Sequence, residues 1–151
     1  MLPKMMKAAV YLGTEHIEIH EVPVPEVDDD SALVKVHACA VCGSDLRTFH
    51  HGNKRVKPGT IMGHEISGEI VAVGKNVTSL KVGDRVLFRP QKVCGKCRMC
   101  REGRYNICKT LDVYGCQAPG ASADYYAANE ELLYILPDNV EYGVGTVIEP
   151  L

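Results

Sequence analysis

Four cysteines crowd one short stretch, "CGKCRMCREGRYNIC", as Cys94, Cys97, Cys100 and Cys108. The gaps between them are two, two and seven residues. Thiolates this close along a chain can converge on one ion, and Zn2+ takes four in a tetrahedron with Zn–S near ~2.3 Å. Such a cluster fixes the path of its loop more tightly than any hydrophobic pattern nearby. Gly95 and Gly103 let the backbone curl, and Lys96, Arg98, Arg101 and Arg104 offset the charge of four thiolates. Two rival uses are disulfides on a basic loop and an iron–sulfur cluster, which also takes two-residue gaps. Lys109 follows the last cysteine where ferredoxin-type runs place proline, which weighs against the cluster. A closed four-thiolate site leaves no open position, so the lobe at 92–110 is expected to be structural.

Cysteine usage also bears on compartment. Seven cysteines in 151 residues is a high count and an odd one. The first residues, Met1 to Lys7, have no long apolar stretch behind them, so no signal peptide is expected. Disulfides are rare in the cytosol, so metal binding and a cytoplasmic location are the expectation. The net charge of -2 gives no electrostatic argument for nucleic acid or membrane as a partner. No run approaches the roughly 20 apolar residues of a membrane span.

Short β-rich runs punctuated by turn residues fill the rest of the chain. Strands are predicted at 7–12, 16–22, 32–38, 66–73, 85–88, 123–128 and 132–136. The run His16 to Val22 alternates polar and apolar residues, the period of a strand with one buried face. Short helices are predicted to start near Ser44 and near Lys96, and no sustained helical stripe occurs. The pattern predicts one mainly β domain over 1–151, a barrel or a sandwich. No Gly-X-Gly-X-X-Gly loop is present, and Gly143-Val144-Gly145 lacks the third glycine.

A second constellation lies apart from the lobe. "GHEISGEI", residues 63–70, puts His64 and Glu65 at the mouth of a predicted strand, where strand formation asks for neither. Cys42 offers a thiolate and His64 an imidazole. A catalytic zinc needs three protein ligands and an open position. Two carboxylates, Glu65 and Glu149, are candidates for the third. Ser44 and Asp45 follow Cys42 closely; each also suits a helix N-terminus. Asp45 is expected to accept the free ring N–H of His64 and fix its tautomer. Cys39 reads as a small core residue, Cys116 has no evident partner, and Tyr114, Tyr125 and Tyr126 read as core.

"CGSD" at 42–45, "GHEISGEIVAVG" at 63–74, "VGDRV" at 82–86, the cysteine lobe and "EPL" at 149–151 occur in that order. Together they resemble the N-terminal catalytic domain of zinc-dependent medium-chain alcohol and polyol dehydrogenases, and the sorbitol and threonine dehydrogenase branch in particular. The resemblance implies a GroES-like β-barrel with a few short helices and a four-cysteine zinc lobe. It implies that Cys42 and His64 bind a catalytic zinc, with Glu65 and Glu149 completing or approaching its shell, and that Ser44 takes the alcohol proton. The implied reaction passes hydride from a primary or secondary alcohol to NAD or NADP, with zinc as Lewis acid. The expected partner is a small alcohol or polyol, with homo-oligomerisation possible in the whole protein.

One residue departs from the pattern. Arg47 stands where the branch carries a relay histidine, and arginine stays protonated, so it suits an anionic contact better than a proton relay. His50 and His51 are alternative relay groups. The resemblance further implies a Rossmann domain for the dinucleotide, which is not expected within these residues. The chain alone is thus expected to bind zinc without turning over alcohol. Two other readings are a zinc-stabilised binding or scaffold module without catalysis, and a zinc-free quinone-reductase relative. The presence of Cys42, His64 and the lobe weighs against the last.

Overall fold

The computed structural model describes residues 2–150. Ten strands run in order: β1 (Met5–Gly13), β2 (His16–Pro23), β3 (Ser31–Ala40), β4 (Thr60–Ile61), β5 (Glu65–Val73), β6 (Arg85–Phe88), β7 (Gln91–Lys92), β8 (Asp112–Val113), β9 (Tyr125–Asn129) and β10 (Leu133–Ile135). Three short helices join them: α1 (Gly43–His51), α2 (Arg98–Arg101) and α3 (Tyr142–Gly145). The predicted strands are all present, and the two predicted helices start within two residues of their expected positions.

All ladders between these strands are antiparallel, in sheets ordered β2-β1-β4, β10-β6-β5-β3-β9 and β7-β8. Residues 121–124 stitch the first sheet to the second. Ala9 N–H donates to Ser122 O at 2.8 Å, Asp124 N–H donates to Lys7 O at 3.0 Å, and Ala8 bridges Ala123. The two sheets thereby curl into a half-barrel, the mainly β architecture with few helices that the sequence implies.

The core follows from the strand patterns. β3 sits between β5 and β9, and its first four residues, Ser31 to Val34, are all buried. Val34, Ile66, Ile70, Val86, Phe88 and Leu132 belong to one cluster. The Phe88 ring packs edge-on against Tyr126, centroids 4.9 Å apart, and lies 5.7 Å from Tyr114. Tyr114 and Tyr126 are thus core aromatics, as expected; with Tyr125 they also wall an apolar cavity.

The strand β2 exists, yet the buried face expected of its alternation does not. Ile17 is 39% exposed and Ile19 is 66% exposed. The physical reason is position: β2 pairs only with β1, at the edge of its sheet, and along it only His20 and Val22 are even half-buried. Its polar residues hold one another instead, with Glu18 between His16 (2.8 Å) and His20 (2.9 Å).

The single turn of α3 was not foreseen, since glycine is a poor helix former. Tertiary contacts hold it. Ser67 Oγ–H donates to Tyr142 O at 2.5 Å, and the Tyr142 ring stacks on His37 at 4.4 Å.

Candidate metal centres

Strand register makes Cys42 and His64 neighbours. In the β3–β5 ladder Ala40 faces Glu65, so the chain leaving β3 runs beside the chain arriving at β5. Cys42 is two residues past Ala40, and His64 is one before Glu65. Gly63 turns the chain into place: its φ is +82°, and a Cβ there would strike Ser122 Oγ. Only glycine meets both demands without strain.

The Cys42 sulfur, a His64 ring nitrogen and a Glu65 carboxylate oxygen all lie within 4.8 Å of one another. Ligand atoms around a tetrahedral zinc stand about 3.3–3.8 Å apart, so small side-chain shifts would close the set. Glu65 is 7% exposed, and among the described residues no cation pairs with it. A buried carboxylate without a cation is costly. A divalent ion would supply that cation, so the donor set fits one.

Glu149 stays outside this group. Burial raises its carboxyl above the usual range; His64 pulls it down and Glu65 pushes it up, so it lies within electrostatic reach. Its other flank faces a groove lined by Leu87, Arg89 and Tyr134. Of the two carboxylates left open by the sequence, the geometry brings Glu65 to the thiol and imidazole.

Asp45 corrects an expectation in detail. Its Oδ1 lies 3.7 Å from His64 Nδ1, within ion-pair range and beyond a direct hydrogen bond. The reason is local: Oδ2 accepts the Cys42 backbone N–H at 3.1 Å, which ties the carboxylate to the start of α1. Burial raises the Asp45 carboxyl, and His64 opposes this. The helix N-cap is Cys42, so Ser44 lies inside the helix and does not cap it.

Ser44 lines a cavity of about 140 Å³ together with Asp45, Thr48, His64 and Cys116. Arg47, one turn further along α1, lines a neighbouring cavity of about 500 Å³. Neither His50 nor His51 lines either cavity, and His50 Nδ1 lies 3.6 Å from Glu15 instead. Cys39 packs against the core cluster as expected, its Sγ 3.4 Å from Ser122 Oγ. Sequence reasoning missed Cys116, Lys54 and Arg55 as cavity residues. The basic pair Lys54-Arg55 after the helix signals charge there, but nothing in it marks a cavity shared with Arg47.

The cysteine lobe is preformed. Cys97 Sγ and Cys100 Sγ lie 3.5 Å apart, and Cys94 Sγ and Cys100 Sγ 4.0 Å. The edge of a tetrahedron with ~2.3 Å Zn–S bonds is about 3.8 Å. Backbone N–H groups point at the sulfurs: Cys94 N–H donates to Cys108 Sγ and Cys97 N–H to Cys94 Sγ, both at 3.3 Å. These contacts favour thiolate. The N–H of Lys96 lowers Cys94, that of Lys109 lowers Cys97, and that of Cys94 lowers Cys108. Cys100 is raised to about 12 by burial and the neighbouring thiols. The four sulfurs form a cluster capable of holding zinc.

Residues 28–138 match the alcohol dehydrogenase GroES-like domain. The chain is 42% identical to the sorbitol dehydrogenase of Bacillus subtilis over 155 aligned positions, covering 99% of this chain and 43% of that protein. It is 40% identical to the D-arabitol-phosphate dehydrogenase of Enterococcus avium, covering 92% of this chain and 40% of that one. An Escherichia coli protein described as a short-chain alcohol dehydrogenase, solved with NADH, superposes with a TM-score of 0.90 at 32% identity, over 98% of this chain and 43% of its own. The chain therefore spans less than half the length of these relatives. Its half-barrel, its cysteine lobe and the match over 28–138 agree: the chain belongs to the alcohol dehydrogenase GroES-like domain family.

Proposed function

We propose that this chain is the metal-binding catalytic portion of a nicotinamide-dependent alcohol or polyol dehydrogenase. The observation that carries the reading is the convergence of Cys42, His64 and Glu65, set apart from a closed cluster of four cysteines. One site is saturated by protein sulfur, while the other offers three different ligands beside a cavity. That is the division between a structural and a catalytic zinc. A zinc ion held by Cys42, His64 and Glu65 supplies a Lewis acid for an alcohol or carbonyl oxygen.

The side chains have distinct tasks. Asp45 holds the Cys42 backbone and faces the His64 imidazole, so it orients two ligands at once. Glu149, within electrostatic reach of His64 and Glu65, could approach a bound metal. Ser44 lines the cavity with His64 and could relay the proton that an alcohol hydroxyl releases, taking it up while passing its own hydroxyl proton outward to solvent. An oxidised nicotinamide, when bound, would take up the hydride of such an oxidation. These residues contain no Gly-X-Gly-X-X-Gly loop, and none of them is assigned to that cofactor. Two relatives are named for sorbitol and for arabitol phosphate, which supports polyols or their phosphates as the substrate class.

The test is metal stoichiometry. Cobalt titration of the chain should give two equivalents, and His64→Ala should remove one while the four-thiolate signature persists. A single tight equivalent, unchanged in His64→Ala, would refute the catalytic reading and favour a zinc-stabilised module without catalysis.

A further inference from the structure

We propose that the cavity between α1 and the loop after it binds a phosphate ester, so that the alcohol presented to the metal centre is a phosphorylated polyol. This rests on the dehydrogenase reading and narrows it.

The cavity of about 500 Å³ is lined by Ser44, Arg47, Thr48, Asn53, Lys54 and Arg55, together with Gly52. Three cations face one space, and no carboxylate lines it. Some cations elsewhere pair with carboxylates, as Lys75 does with Asp29 at 2.7 Å and Lys81 with Asp84 at 2.8 Å, and others such as Lys57 and Lys96 do not, so what distinguishes this group is its shared cavity. Among the described residues Arg47, Lys54 and Arg55 have no such pair. Three like charges around one space repel one another, and an anion relieves that repulsion.

The donors match a phosphate monoester. It carries up to two charges and three strong acceptor oxygens. Two guanidinium forks, an ammonium and the hydroxyls of Ser44 and Thr48 are available to them. On α1, positions 44, 47 and 48 share one face by helical spacing.

The cavity also adjoins the smaller one that His64 lines. Ser44, Thr48, Asn53 and Arg55 line both it and the smaller cavity that holds His64 and Asp45. Arg47 lies three residues beyond Ser44, about 4.5 Å along the helix axis. One ligand can therefore place a hydroxyl near His64 and a phosphate at Arg47. The phosphates of a dinucleotide offer the same chemistry from a second source. Because Ser44 and Arg55 line both cavities, a phosphate on the alcohol could reach Arg47 while its hydroxyl lies near His64. A nicotinamide would also lie beside that alcohol, so the ADP-ribose arm separates the two sources.

Calorimetry on the zinc-loaded chain decides, with sorbitol 6-phosphate, sorbitol and ADP-ribose as probes. Sorbitol 6-phosphate should bind at least about tenfold tighter than sorbitol. Arg47→Gln and Arg55→Gln should each weaken it by about tenfold and leave sorbitol unchanged. Both side chains are exposed, so the variants should fold. Equal binding of the two polyols overturns the proposal. So does a loss confined to ADP-ribose in the variants, which would give the cations to the dinucleotide. Repeating the titration on His64→Ala separates the two readings. Retained preference for the phosphorylated polyol there, in a chain that never took a second metal equivalent, would keep the anion site and remove the dehydrogenase. Two metal equivalents without that preference would do the reverse.

Discussion

Ala40 faces Glu65 across the β3–β5 ladder, and that pairing brings the candidate metal ligands Cys42, His64 and Glu65 together. Cys42 and His64 are separated by a helix, a loop and a two-residue strand, yet the register brings them together. A bulge sets the phase. Val36 faces Gly68 and Ala38 faces Ser67, so His37 is the extra residue. Bulges re-aim the side chains beyond them. Without this one, Ala40 and the chain after it would meet β5 one residue out of step.

Asp45 should matter to metal affinity more than to fold. Its carboxylate accepts the backbone N–H of Cys42 and lies in ion-pair range of the His64 ring. Removing outer partners of this kind typically weakens metal binding about 10–100-fold. Asp45→Asn is expected to do so at the Cys42 centre and to leave the four-cysteine lobe unchanged. Competition with a chelator, read by cobalt absorption, measures both sites in one sample.

Gly63→Ala should cost stability as well as metal. The positive φ alone disfavours a side chain, and the added methyl meets Ser122. A strained residue of this kind costs about 1–3 kcal/mol. Urea unfolding of the zinc-loaded variant is the measurement. An unchanged midpoint would mean that the turn before His64 has room the structure does not show.

These residues differ in how far the sequence gives them away. The four cysteines declare their lobe because their ligand spacing is local. The strands declare themselves through alternation and turn residues. Ile17 and Ile19 mislead, since alternation shows which residues share a face and not whether anything covers it. The choice of Glu65 over Glu149 was invisible, because it depends on register between strands and on where the segment after α3 lies. Arg47, Lys54 and Arg55 converge through the turn after α1, and no motif marks that convergence.

Arg85 should anchor the segment that leads to Glu149. Its Nη1 donates to Pro137 O at 3.0 Å and Asp138 O at 2.8 Å, and its Nη2 to Val140 O at 2.5 Å. The guanidinium also lies 4.5 Å from the centre of the Tyr142 ring. Lysine cannot make this fork. Arg85→Lys is expected to lose about 1–3 kcal/mol, and amide exchange should quicken first at 137–142. Uniform exchange across the barrel would argue that Arg85 supports the whole fold instead.

Zinc loading of the cysteine lobe should weaken as pH falls. Metal binds thiolate, so each thiol still protonated before binding must give up its proton. Cys100, raised to about 12, is protonated at neutral pH in the metal-free lobe. The lowered thiols of Cys94, Cys97 and Cys108 join it as pH drops through their folded values. The sign follows: acidification favours the free lobe, and affinity climbs with pH. Released zinc should leave residues 94–108 open to trypsin at Arg98, Arg101 and Arg104, all exposed. The core cluster around Phe88 lies in a different sheet and should hold. Chelation followed by brief proteolysis checks this by the site of first cleavage, and a first cut within β3 or β5 would show that the lobe supports the barrel itself.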